Sequence, residues 1–80
     1  MLVPHKTLLA RIAQLEARAE KAYDAMYETR YPAGEYSELK DYFREAIDMA
    51  RRAGLTAVVE RLSKRLEHCK AVYRSQFTQS

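Results

Sequence analysis

The sequence predicts an all-α protein: a three-helix antiparallel bundle with a long first helix and a tight hairpin between helices two and three. Three observations lead there. Apolar residues recur at steps of four and three in two stretches, Leu8, Ile12, Leu15, Ala19, Ala22 and Met26, then Leu55, Val59, Leu62, Leu66, Cys69 and Tyr73. That spacing puts each set on one narrow helix face that must be buried. Glycine and proline are scarce, two of each, which leaves few of the turn signals that separate strands. Ala, Leu, Glu, Arg and Lys are plentiful, and these are good helix formers.

The 80 residues are read as a single helical domain, 1–80. A chain this short buries roughly 60% of its unfolded surface, so association with a second chain is a common way to complete such a core.

The first helix is expected from Pro4, which suits a first turn because its missing N–H would be unpaired there anyway. It is expected to run to Arg30 and stop at Tyr31-Pro32-Ala33-Gly34, since proline disfavours the helical conformation of the residue before it. Ser37 is a candidate N-cap for the second helix, with Gly34 or Glu35 as alternative starts. Tyr36, Leu39, Phe43, Ile47 and Ala50 form its apolar face, with Ala46 and Ala53 at the edge. Gly54 is a natural residue just past its end, and Arg51 and Arg52 favour a helix C-terminus. The third helix is expected from a Thr56 cap to Phe77, with Thr78, Gln79 and Ser80 fraying. The loop at Gly54 is so short that helices two and three must be neighbours. At 1.5 Å per residue, helix one would be roughly 40 Å long and helix two roughly 27 Å, so an apolar overhang of helix one is expected. No repeat of about 34 residues is present, which argues against a solenoid.

Net charge is +3, with 14 basic and 11 acidic residues. Residues 1–40 balance, whereas from Met49 onward Arg51, Arg52, Arg61, Lys64, Arg65, Lys70 and Arg74 face only Glu60 and Glu67. A basic flank can meet phosphate, an acidic protein or a membrane surface, or simply keep a helix face solvated. The single cysteine, Cys69, excludes an internal disulfide, and a reducing cytoplasm is the expected location. Met1, Leu2 and Val3 are followed at once by Pro4, His5 and Lys6, so no secretory leader is expected. No apolar run approaches a membrane span, so no membrane association is expected.

Read as a heptad, helix one has Ile12, Ala19 and Met26 at a, Leu8, Leu15 and Ala22 at d, Arg11 and Arg18 at g, and Glu16 at e. In a parallel dimer Arg11 would meet Glu16 of the partner. The same stripe also suits packing within one chain. Tyr23, Tyr27 and Tyr31 recur every four residues beside it, and aromatic rows with polar tips favour interfaces or the wet end of a core. Together Leu8, Ile12, Leu15, Tyr23, Met26, Tyr27 and Tyr31 are the candidate partner-binding residues.

Arg61, Lys64, Arg65 and His68 share a face of helix three and form a candidate basic face for phosphate, without any accompanying nucleic-acid-binding signature. Glu16, Glu20, Asp24 and Glu28 make an acidic ridge on helix one, which could meet a basic partner, including helix three of another copy, or be solvated. His68 and Cys69 are adjacent, about 100° apart on a helix, and no Cys-x-x-Cys or His-x-x-x-His is present. No metal, cofactor or catalytic residue is therefore expected. The function expected from sequence is a protein–protein interaction module, an adaptor or regulatory subunit that self-associates through helix one, with a dimer favoured and a heterologous partner allowed. The alternative is a nucleic-acid-associated protein using the basic face.

Overall fold

The computed structural model describes residues 5–77. The regular elements among them are three α-helices: α1 (His5–Met26), α2 (Pro32–Arg52) and α3 (Thr56–Gln76). They form an antiparallel three-helix bundle in which α2 packs against both neighbours. The expected start at Pro4 and the expected fraying of Thr78, Gln79 and Ser80 lie outside the described residues. No described helix is long and apolar enough to cross a membrane.

The predicted faces are the faces used. Ile12, Leu15, Ala19, Ala22 and Met26 of α1 are buried with Leu39, Phe43, Ala46, Ile47 and Ala50 of α2 and Leu62, Leu66 and Cys69 of α3. Leu8, Tyr36, Leu55, Val59 and Tyr73 pack on this core from its margins. Ala46, expected at the edge of its face, is completely buried.

The boundary between the first two helices differs from expectation. The first helix ends at Met26, not Arg30, because the chain tightens there. The Tyr27 N–H donates to the Asp24 carbonyl at 3.2 Å and the Glu28 N–H to the Ala25 carbonyl at 3.0 Å, a three-residue closure that terminates an α-helix. The Tyr31 N–H then donates to Thr29 Oγ1 at 3.3 Å. Pro32 becomes the first residue of α2, where its fixed φ and missing N–H are both acceptable. Proline thus starts the second helix as well as ending the first, and Ser37 lies inside α2 instead of capping it. Among the described residues the helices are 22, 21 and 21 residues long, so over that span the first is one residue longer than the others.

The hairpin at Gly54 forms as expected. Gly54 has φ +73°, the left-handed region that glycine enters without steric cost. The Gly54 N–H donates to the Arg51 carbonyl at 3.1 Å and the Leu55 N–H to the Ala50 carbonyl at 2.9 Å. This is the paired closure of a Schellman motif, with Leu55 turned onto the core. Leu55, not Thr56, occupies the position before α3, and no side chain caps that helix.

Candidate functional site

The seven candidate partner-binding residues separate into two groups. Ile12, Leu15 and Met26 are 1–2% exposed within a single chain, and Leu8 lies against the same core. The heptad stripe is therefore spent on α2 and α3 of its own chain. Reaching it from another molecule would require the bundle to open. The tyrosines instead gather at the end of the bundle where α1 finishes, α2 begins and α3 finishes.

There the aromatic rings form a continuous path across all three helices. Tyr36 stacks on Tyr73 with centroids 3.8 Å apart and planes 6° from parallel. Tyr73 lies 6.0 Å from Phe77, Phe77 meets Tyr27 edge to face at 5.2 Å, and Tyr27 meets Tyr23 edge to face at 5.6 Å. Cations close both ends: Lys40 Nζ lies 4.4 Å over the Tyr36 ring and the Arg65 guanidinium 4.9 Å over Tyr23. Such ring pairs and cation–ring contacts each add to burial, typically about 0.5–1.5 kcal/mol per ring pair.

The Tyr23 and Tyr27 hydroxyls are hydrogen-bonded at 3.0 Å. That bond favours the neutral phenol and, with partial burial, pushes Tyr23 up to about 12. Two tyrosines remain open to solvent, Tyr27 at 53% and Tyr31 at 79%. Tyr31 stands in the loop just before Pro32, outside the ring path. Among the described residues the other exposed large apolar side chain is Leu9, near the start of α1.

The basic face of α3 and the acidic ridge of α1 find each other inside one chain. Arg61 donates to both Glu16 oxygens at 2.5 and 3.2 Å. One turn on, Arg65 donates to both Glu20 oxygens at 2.7 Å. Donating to these carboxylates raises both guanidinium pKa values further. The ridge, open in the sequence to a solvated role or to the basic face of another copy, thus meets the basic face of its own chain. Lys64 and His68 remain exposed, so two of the four residues of the candidate basic face hold no carboxylate among the described residues. Arg11, expected to meet Glu16 of a partner, lies 4.0 Å from Glu45 of its own chain.

Cys69 is completely buried. Burial pushes its thiol up to about 11, against the opposing pull of Arg65, which makes it an apolar core residue at neutral pH. Among the described residues no group of three His, Cys, Asp or Glu is placed to hold a metal ion. A groove of about 320 Å³ runs between α1 and α2, lined by Arg18, Lys21, Ala22 and Ala25 on one side and Glu35, Glu38 and Tyr42 on the other. Sequence reading missed it, because Arg18 and Lys21 lie off the apolar stripe and their opposing carboxylates belong to another helix. No known protein family, curated protein or solved structure matches the chain.

Proposed function

We propose that this chain is a small helical protein–protein interaction module, an adaptor or regulatory subunit of the cytoplasm that works by docking and not by catalysis. Its contact with another protein uses the tyrosine end of the bundle, with Tyr27 and Tyr31 as anchors, and the module also self-associates as a dimer. The observation that supports this reading is the exposure of Tyr27 and Tyr31 at the end of the bundle where Tyr23, Tyr36, Tyr73 and Phe77 are engaged in ring contacts. Tyrosine is enriched among the residues that dominate interface energetics, because it offers a rigid ring with a hydroxyl at its tip. The partner that fits is a protein with a shallow apolar pocket edged by a hydrogen-bond acceptor. The nucleic-acid reading has less support, since Arg61 and Arg65 already hold carboxylates.

Site-specific photocrosslinking tests the docking. A benzophenone side chain at position 31 is expected to capture one discrete protein in the native cell extract. The same group at the exposed control position Ala71 is expected to capture none, and adding Tyr27→Ser is expected to reduce capture from position 31. Equal, diffuse labelling from positions 31 and 71 would reject the tyrosine end as a docking site.

A further inference from the structure

The groove between α1 and α2 has walls of opposite charge. Arg18 and Lys21 stand on α1, Glu35 and Glu38 on α2, and the floor includes the small side chains of Ala22 and Ala25. None of the four charged groups makes a hydrogen bond or ion pair among the described residues. On the opposite flank of α1, Glu16 and Glu20 are each held by an arginine. Complementary charges are therefore matched on one flank of α1 and left unmatched on the other.

We propose that this face is a self-complementary dimer surface whose occupant is the same groove of a second copy. Cations and carboxylates line the groove at the same level along the bundle, on two helices that run antiparallel. A two-fold axis directed along the groove lays α1 of the second copy over α2 of the first without changing height. Arg18 and Lys21 of each copy then face Glu35 and Glu38 of the other, and the pattern occurs twice. A two-fold axis across the helices would set cations on cations and acids on acids, so charge selects the first arrangement. Alanines in the floor let the facing helices approach, since the distance between packed helices follows the side chains at the contact. This gives the self-association proposed above its surface, and it rests on that reading.

Paired charge reversal tests it, read as mass in solution by light scattering. The native protein is expected at twice the chain mass of 9.3 kDa, with dimerisation weakened by added salt. R18E/K21E makes the groove wholly acidic and E35K/E38K makes it wholly basic. Each variant alone is expected to run as a monomer, its dissociation constant raised at least about tenfold by like-charge repulsion. An equimolar mixture of the two is expected to regain the dimer mass, which only folded, complementary grooves can do. A native dimer whose mass neither variant changes would overturn the groove and leave self-association standing, as would a mixture that stays monomeric. A native protein that is monomeric at every concentration would overturn both, while the crosslinking at position 31 reports on the tyrosine end separately.

Discussion

Against α2, α1 presents alanines: Ala22 and Ala25 line the groove that the two helices share. Against α3 it presents Glu16, Glu20 and Tyr23, with Tyr27 just past its end, and these reach across to Arg61, Arg65 and Phe77. The backbones of α1 and α2 accordingly run close together, whereas α1 and α3 face each other at the reach of long side chains. The two seams do different work. Burial of apolar surface is worth roughly 25 cal/mol per Å², so the sealed residues carry the stability. The ion pairs at the other seam are half open to solvent, and such pairs contribute only about 0–1 kcal/mol each.

The charged seam contributes register. Glu16 and Glu20 are four residues apart, as are Arg61 and Arg65, so a single alignment of α3 on α1 satisfies both pairs. Sliding α3 by one turn would leave one carboxylate and one guanidinium without partners. The apolar stripes, with their repeating spacing, discriminate less sharply against such a slip.

Substitutions can break this contrast, and the largest effect is expected in the sealed core. Phe43 is completely buried at the centre of α2, so Phe43→Ala should cost about 3–5 kcal/mol, a large share of the stability of a domain this small. Urea denaturation would show it, and a loss below about 1 kcal/mol would mean that Phe43 does not hold the helices together. Next comes overpacking. Ala19 on α1 is also fully buried, and Ala19→Leu should cost about 1–3 kcal/mol by forcing neighbours from their rotamers. A neutral result in the same assay would show slack where the structure has none.

Alkali should loosen the long-side-chain seam more gently. Tyr23 is raised from 10.0 to about 12 and Cys69 from 9.0 to about 11. For both, the fold favours the protonated form, so their contribution is complete below the unfolded pKa and disappears as pH rises through the folded one. Unfolding free energy should therefore be unaffected by these groups up to about pH 9 and fall between about pH 9 and 12. Denaturation midpoints at pH 8, 10 and 11.5 would reveal a flat response if the two groups are not shielded as described. The smallest effect belongs to the better enclosed ion pair. A double-mutant cycle on Glu20→Gln and Arg65→Met should give a coupling of about 0.2–1 kcal/mol that shrinks in high salt. A coupling above about 2 kcal/mol would place real stability in the charged seam and erase the contrast between the two seams.

The Gly54 hairpin was readable because glycine just after two arginines has one ready use at a helix end. The helix-one boundary was not, because Tyr31-Pro32 satisfies two descriptions equally: the end of one helix and the first residue of the next. Tyr27 and Tyr31 were legible as polar-tipped aromatics, but their fellow candidates Ile12, Leu15 and Met26 were not separable from them, since a stripe buried within a chain and one buried between chains have the same spacing.

By itself, the sequence determined three helices, their buried faces and the tight turn at Gly54, because periodicity and turn chemistry are local properties. Only the tertiary structure decided which charges meet. It matched Glu16 and Glu20 to Arg61 and Arg65, residues 45 positions away, and left Arg18 and Lys21 opposite Glu35 and Glu38. It also brought five aromatic rings from the three helices and their ends into one path. Those choices depend on the azimuth and offset of whole helices, which are set by how side chains from distant segments interlock. No spacing along a single helix records them.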